Sequence, residues 1–399
     1  MTFSAIDAKH MAHALRLAER GLFTTQPNPR VGCVIAHGER VVGQGWHQRA
    51  GQPHAEVYAL REAGEQARGA TAYVTLEPCA HHGRTPPCAD ALIAAGVGRV
   101  VIAAEDPFPQ VAGKGMEKLC AAGIAVESGL MRDAARAINI GFFSRIERHR
   151  PWVRVKLAMS LDGRTALANG ASTWITGEAA RADVQRWRAR SSAILTGVGT
   201  VLADNPQLTV RLTPSPTCSR EGLGWDEANF AASSSNTTPA LSCEQGRGQA
   251  LAPVPPLRVV LDRRLRTPAG SHILDGQTPT LLLHAADATF PDDRFTHVEC
   301  AAVAERGDAL DLSAVLTMLA KRDCSELHVE AGPTLCGALF AAGLVDELLL
   351  YVAPVMLGDA ARPLLHLPAL TDMAARWHLH VIDQRQVGVD WRIRLRPQA

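Results

Sequence analysis

The sequence predicts two α/β domains in tandem, and three observations carry that expectation. The chain has 399 residues, 47% of them hydrophobic and 20% charged. That exceeds one ordinary domain of roughly 100–150 residues and supplies apolar material for two cores. Apolar periods of helical and strand type alternate along both halves, the pattern of layered helices and sheets. A basic, proline-marked junction, Arg145–Pro151 (RIERHRP), separates them and places the domains at 1–147 and 151–399.

The first half opens with a capping-box pattern at Ser4 and Asp7, ahead of a helix whose Met11, Leu15, Ala18 and Leu22 share one face. Two β-type runs follow, Val31–Ala36 and Val41–Trp46, and the polar turn His37-Gly38-Glu39-Arg40 between them reads as a hairpin. A helix starts near His54, Ala70–Leu76 is a strand, Pro87–Ala95 a helix and Arg99–Ala104 a strand. A helix around Lys114–Ala122 and a short strand at Ile124–Ser128 complete the domain.

In the second half, strands read at Trp152–Met159, Ala193–Thr196, Leu257–Leu261, Thr280–His284, Glu326–Glu330 and Glu347–Val352. Helices read at Glu178–Arg190 and Thr334–Ala342, and Gly197-Val198-Gly199 reads as a turn. Between Thr213 and Pro256 the chain is rich in Ser, Pro, Gly and Ala, which predicts a mobile surface insertion.

Composition narrows the function classes. With 41 bases against 40 acids the net charge is +1, and no Lys/Arg run marks a protein held by nucleic-acid phosphates. Apolar runs such as Leu348–Leu357 fall far short of the roughly 18 residues of a membrane span, and Met1–Arg20 lacks the apolar core of a secretory signal. Nine cysteines, an odd number spread over a long chain, suit cytosolic thiols or metal ligands better than a disulfide framework. The expectation is a soluble, cytoplasmic protein acting on a small molecule, with a homo-oligomer (dimer or tetramer) as its assembly.

The sharpest chemical signal lies in the first half. His54-Ala55-Glu56 stands at a helix start, Pro78-Cys79 follows a strand, and Cys88 comes nine residues after Cys79. One imidazole and two thiolates suit a Zn²⁺ that leaves its fourth position to water. Glu56, two residues from His54, projects differently and is placed to carry protons, the division of labour of nucleobase deaminases. The eight residues between the thiols depart from the usual Cys-x-x-Cys, and this loop brings His81, His82, Arg84 and Thr85 toward the metal, as a phosphorylated substrate would require. A merely longer turn is the plainer alternative.

Several long motifs resemble the bifunctional riboflavin-biosynthesis deaminase/reductase family. In the first half these are Asn28-Pro29-Arg30-Val31-Gly32, His47-x-x-Ala50-Gly51-x-x-His54-Ala55-Glu56 and the run Glu77 to Cys88. Beyond the junction they continue in Val155–Arg164, Ser172–Gly177, Thr200–Arg211 and Glu330–Leu335. The resemblance covers nearly the whole chain apart from 213–256. It implies a cytidine-deaminase-like zinc domain followed by a dihydrofolate-reductase-like domain using NADPH. The first would deaminate a diaminopyrimidinone ribosylamino 5′-phosphate, and the second would reduce its ribosyl group to ribityl.

By position, the resemblance puts Asn28, His47, His81 and Arg84 against the deaminase substrate. Ala158, Trp174, Thr200, Asp204 and the run Gly332, Pro333, Thr334, Leu335, Cys336, Gly337 and Ala338 would face NADPH. Ser172, Arg188, Leu208, Arg211 and Glu330 would face the reductase substrate, with Lys156, Thr176 and Asp204 orienting the sugar. By residue chemistry alone, Asn28 reads equally as a turn residue and His47 as a surface residue at a strand end. Arg188 on that basis is a solvated helix face, Asp204 a turn or cap, and Trp174 core packing. The turns at Gly197 and Gly332 offer backbone N–H groups to an anion, yet neither forms a G-x-G-x-x-G fingerprint. Arg263-Arg264 suits the 2′-phosphate of NADPH or is simply an exposed basic pair. Two other readings stay open: a zinc deaminase of nucleic-acid bases, and a deaminase with a non-catalytic second domain.

Overall fold

The computed structural model describes residues 3–80, 86–109, 111–212 and 251–398. The elements of the first half are α1 (Ala5–Glu19), β1 (Gly32–His37), β2 (Arg40–Trp46), α2 (Ala55–Ala63), β3 (Thr71–Leu76), α3 (Cys88–Ala94), β4 (Arg99–Ala104), α4 (Lys114–Ala121), β5 (Ala125–Ser128), α5 (Arg132–Ile138) and α6 (Ile140–Arg148). They build a five-stranded sheet of order β2-β1-β3-β4-β5, antiparallel at β2-β1-β3 and parallel from β3 to β5. The Ser4–Asp7 capping box is formed in both directions. Apolar clusters fill both faces of the sheet, one around Met11, Val34 and Phe143 and the other around Ile35, Ala59 and Leu92.

Small residues set how close α2 lies to the sheet. Ala55, Ala59 and Ala63 recur every fourth residue on its buried face. Opposite them, a Cβ at Gly43 would meet the Ala59 carbonyl oxygen at 2.2 Å, and one at Gly45 the Ala55 oxygen at 2.6 Å. The close approach fixes the start of α2, and with it His54 and Glu56, against the strand.

The second half comprises β6 (Trp152–Ser160), β7 (Arg164–Ala166), α7 (Glu178–Arg190), β8 (Ala193–Gly197), α8 (Val198–Asp204), β9 (Leu257–Leu261), β10 (Thr280–Ala285), β11 (Glu299–Val303), β12 (Glu305–Arg306), β13 (Ala309–Leu310), α9 (Leu312–Lys321), β14 (Glu326–Val329), α10 (Pro333–Ala341), β15 (Glu347–Ala353), β16 (Arg362–Pro363), β17 (Leu379–Val387) and β18 (Asp390–Pro397). Nine strands form one sheet of order β11-β10-β9-β8-β14-β6-β15-β18-β17. It is parallel up to β15 and closes with the antiparallel pair β18-β17. Parallel strands such as β10 and β14 are buried along their whole length because both faces are covered, and the polar residues they carry, such as Glu326 and His328, are buried with them.

Three sequence expectations need correction. Arg145–Arg148 belong to α6 rather than to a linker, since Phe143 and Ser144 on its inner face are buried. Val198–Gly199 open α8 instead of lying in a turn. The expected insertion 213–256 lies largely outside the described residues, but its last part is tied to the first domain. Val254 N–H donates to the Phe23 carbonyl at 2.9 Å, and Arg49 Nη2 to the Ala252 carbonyl at 2.6 Å.

The two sheets meet across a charged seam. Arg148 and Arg150 both pair with Asp346, and Arg145 with Asp323. Deeper in, Arg30 from the first half joins Arg154 and Arg190 around the fully buried carboxylate of Glu326.

Candidate active sites in the two domains

In the first domain the donor atoms of His54, Cys79 and Cys88 lie within 4.8 Å of one another. His54 Nδ1 is 3.7 Å from Cys79 Sγ and 3.3 Å from Cys88 Sγ. A tetrahedral ion with Zn–S of about 2.3 Å and Zn–N of about 2.0 Å separates such N and S ligands by about 3.5 Å, so the donor set fits zinc. His54 is the residue before α2, and Cys88 opens α3. The thiols share their protons unequally: the Cys88 hydrogen bond, against the cost of burial, draws Cys79 down to about 4, while Cys88 is pushed up. A thiolate is thus already favoured on one of the two sulfurs, which is the form a metal requires.

Glu56 is buried at the first turn of α2. Burial raises its pKa, with the His54 charge opposing. Its Oε2 is buried and has no hydrogen-bond partner among the described residues. A buried unpaired carboxylate oxygen beside three metal donors has its hydrogen-bonding capacity open to a ligand.

Asn28 and His47 are brought together, and their geometry fixes their roles. His47 Nδ1 is 3.1 Å from the Pro53 carbonyl and so must carry the proton. Its Nε2 is then an acceptor for Asn28 Nδ2 at 3.1 Å, which leaves Asn28 Oδ1 as the free end of the amide. His47 is 2% exposed, so it is no surface residue. Burial lowers its pKa, although the Pro53 hydrogen bond opposes this, which favours the neutral ring. His81 and Arg84 lie outside the described residues.

Glu77, outside the donor set, has a structural role beside it. Its carboxylate accepts the backbone N–H groups of Asp106, Gly113, Gly115 and Met116, at 2.9 to 3.3 Å. It thereby pins the loop before α4 against the segment that carries Cys79. A Cβ at Gly115 would stand 2.0 Å from the Pro78 carbonyl oxygen. The signal was present as the acid immediately before Pro78-Cys79. Asp106, beside this clamp, is raised to about 6, chiefly by burial.

The second domain holds a cleft of about 1560 Å³. Lys156, Ala158, Ser172, Trp174, Thr176, Arg188, Thr200, Asp204, Leu208, Arg211, Glu330, Gly332, Pro333, Thr334, Leu335 and Ala338 all line it. Trp174 is 73% exposed there rather than packed in a core, with the Arg181 guanidinium 4.6 Å over its ring. Arg188 is not on a solvated face: it is buried, with Nε and Nη2 on the Glu330 carboxylate at 2.5 and 2.8 Å and Nη1 on the Thr209 carbonyl. Most of its donor capacity is therefore committed within the protein, which leaves little of it for a substrate phosphate.

Cys336 and Gly337 are not on the cleft wall. The Cys336 thiol is buried and donates to the Ala331 carbonyl, and a Cβ at Gly337 would stand 2.1 Å from the His366 carbonyl oxygen. At Gly199 and Gly332, by contrast, the direction of a Cβ is open, so a ligand can approach the backbone closely. Nine Lys and Arg side chains line the cleft against four Asp and Glu, a balance suited to polyanionic ligands.

Residues 151–391 match the family described as RibD C-terminal domain, and residues 4–104 the cytidine and deoxycytidylate deaminase zinc-binding region. The chain is 48% identical to the riboflavin biosynthesis protein RibD of Escherichia coli over 386 residues, covering 96% of this chain and 97% of that one. It is 45% identical to the RibD of Haemophilus influenzae over the full length of both. Among solved structures it is similar to Acinetobacter baumannii RibD, with a TM-score of 0.84, 41% identity and 99% of both chains covered. It also resembles a Thermotoga maritima protein described as a diaminohydroxyphosphoribosylaminopyrimidine deaminase/5-amino-6-(5-phosphoribosylamino)uracil reductase, at a TM-score of 0.80 and 29% identity over 98% of this chain. The expected order, a cytidine-deaminase-like domain and then a dihydrofolate-reductase-like one, is thereby met, and the cleft of the second domain belongs to a reductase. With a zinc-type donor cluster in one domain and an anion-attracting cleft in the other, the chain belongs to the RibD family of bifunctional riboflavin-biosynthesis deaminase/reductases.

Proposed function

We propose that the first site deaminates 2,5-diamino-6-ribosylamino-4(3H)-pyrimidinone 5′-phosphate. The second then reduces the ribosyl side chain with NADPH, giving 5-amino-6-(5-phosphoribitylamino)uracil. The observation that carries the first step is the unpaired Glu56 Oε2 beside the His54, Cys79 and Cys88 donors. The chemistry zinc supplies there is acidification of a coordinated water toward a pKa of about 7. Glu56 accepts a proton from the attacking water and passes it to the pyrimidine ring nitrogen. It then takes a second proton, from the hydroxyl now on the ring carbon, and gives it to the amine, which leaves as ammonia as the carbon–nitrogen bond breaks and the carbonyl forms. Asn28 Oδ1, aimed by His47, accepts a hydrogen bond from the base, and His81 and Arg84 hold its phosphate.

In the second site NADPH supplies a hydride to the anomeric carbon of the sugar. Lys156, Thr176 and Asp204 orient the sugar, and Arg211, with Ser172, Arg188, Leu208 and Glu330, receives the phosphorylated substrate. Ala158, Trp174, Thr200 and the Gly332–Ala338 turn flank the cofactor. The cationic cleft supports a dinucleotide phosphate and a small phosphorylated substrate together, rather than a nucleic acid. Zinc analysis with paired assays of ammonia release and NADPH oxidation on one purified sample tests the reading. A sample that releases ammonia yet neither binds nor oxidises NADPH would make the second domain non-catalytic.

The working domains we assign are 1–147 and 151–399, with action in the cytoplasm. No described helix is long and apolar enough to cross a membrane, and the seven cysteines among the described residues are free. Homo-oligomerisation, as a dimer or tetramer, is supported by the exposed apolar side chains Val381, Val389 and Trp391 on the β17–β18 pair. Light scattering of the purified chain measures it directly.

The 2′-phosphate reading of Arg263-Arg264 is weakened by their partners. Arg263 pairs with Glu305 and Asp308, and Arg264 with Asp287 at 3.0 Å. Replacing both by Ser is expected to change the NADPH-to-NADH ratio of kcat/KM by less than about threefold, the scale of an exposed ion pair. A tenfold fall in that ratio would restore the two arginines as the phosphate site.

A further inference from the structure

We infer that Arg190 and Glu326, both in the reductase domain, are positioning residues for the deaminase reaction, acting through the loop that carries Asn28. The inference rests on the reading of Asn28 as a substrate contact. Asn28 sits midway between Gln26 and Arg30, and the side chains of both neighbours cross to the other domain. Gln26 Nε2 donates to the Arg190 carbonyl at 2.6 Å, and Arg30 Nη2 donates to the same oxygen at 3.2 Å. Arg30 Nη1 donates to Glu326 Oε1 at 2.8 Å.

The acceptors are available for physical reasons. Arg190 is the last residue of α7, where carbonyls have no partner within the helix. Glu326 is fully buried; burial opposes its ionisation, and the Arg190, Arg30 and Arg154 guanidiniums overcome this and hold it well below the ordinary carboxylate range. Arg190 closes the arrangement through Nε and Nη2 on Glu326 at 2.9 and 3.1 Å. Within its own domain the loop is held on the Arg30 side by Asn139, which exchanges two hydrogen bonds with the Arg30 backbone at 2.8 and 2.9 Å, and by Arg30 Nη1, which also donates to the Ile138 carbonyl at 2.7 Å. On the other side Thr25 Oγ1 donates to the Gly21 carbonyl at 3.1 Å, while the Gln26 side chain itself is tied across the boundary to Arg190.

The same α7–β14 unit serves the second site. Two residues before Arg190, Arg188 grips Glu330 in the cleft wall, and Glu330 lies four residues beyond Glu326 on the same face of the strand path. One helix and one strand of the reductase domain therefore hold a wall of their own cleft with one pair of residues and the Asn28 loop with the other.

Domain docking alone would make these contacts matter for stability and for both activities alike. Positioning predicts a selective effect on deaminase substrate binding. In the full-length enzyme, Gln26→Ala is expected to raise the deaminase KM about five- to tenfold, the weight of one lost hydrogen bond, with kcat within about twofold. Reductase constants should stay unchanged, and the melting temperature should fall by no more than about 2 °C, the scale of one such bond in a chain of this size. Gln26→Glu keeps the shape and turns a carboxylate oxygen toward the Arg190 carbonyl, so its KM should rise further. Glu326→Gln is expected to act in the same direction, and the Gln26 variants decide the matter should it fail to fold. Asn28→Ala is the control. An unchanged deaminase KM in Asn28→Ala overturns the reading of Asn28 and the positioning role with it. A raised KM in Asn28→Ala, with wild-type KM in both Gln26 variants, overturns the positioning role alone.

Discussion

Glu56→Gln is expected to keep one zinc per chain while ammonia release falls by about 10²–10⁴-fold, the weight of a positioned general acid–base. The substitution preserves the shape of the side chain and removes only its ability to accept and return a proton. Glu56 lies outside the cluster of donors that converge within 4.8 Å, so the metal loses no ligand. Its pocket is already formed by the close packing of α2 on Gly43 and Gly45, which the substitution leaves alone. Cys79→Ala should do the opposite and release the metal, since one of three protein donors disappears. Reduction of supplied deaminated intermediate should continue at the wild-type rate in Glu56→Gln, because the reductase cleft is lined wholly by residues beyond 155. Metal analysis beside the two assays decides the assignment. Zinc lost from Glu56→Gln but retained in full by Cys79→Ala would sink it.

What the sequence made legible was chemistry with local spacing. The capping box at Ser4 and Asp7, the hairpin around Gly38, and the set His54, Glu56, Cys79 and Cys88 each declare themselves within a window of a few tens of residues. The capping box and the hairpin are formed, and the donor atoms of His54, Cys79 and Cys88 converge within 4.8 Å. Residues that act through long-range partners declare nothing. Arg30 meets Glu326 across 296 positions, and neither residue type nor spacing links them. The β17–β18 pair is not legible in the sequence, because its burial hardly alternates and its exposed face carries Val381 and Trp391 beside charged residues. The helix α9 was readable, with Asp311 capping it and Val315, Leu316, Leu319 and Ala320 on one face. Arg188 shows the other limit: the sequence specifies its helix but not which face of that helix meets the sheet.

Replacing Lys156 by Met is expected to lower reductase kcat/KM by about 10²–10⁴-fold and to leave ammonia release intact. Lys156 projects from β6 into the cleft wall, and its ammonium has no hydrogen-bonded partner among the described residues. Hydride delivery to the anomeric carbon breaks the bond from that carbon to the ring oxygen, and the oxygen must then gain a proton. An unpaired ammonium in the wall is the group suited to give it, whereas Arg188 and Glu330 are occupied with each other. Burial lowers the pKa of Lys156 from its ordinary 10.5; the Glu330 charge opposes the shift and Arg188 adds to it. The wild-type reductase rate should therefore fall as pH rises through that lowered value, on an alkaline limb that begins below 10.5, and the Met variant should lack the limb. Stability moves the other way. Between the lowered folded value and the unfolded one, the unfolded chain binds more protons at Lys156, so this group's contribution to stability rises with pH. An alkaline loss of reductase rate, without a matching loss of the folded state, is thus the signature of Lys156 deprotonation. Wild-type kcat/KM in Lys156→Met, or a deaminase rate that falls in parallel, would remove Lys156 from the reaction.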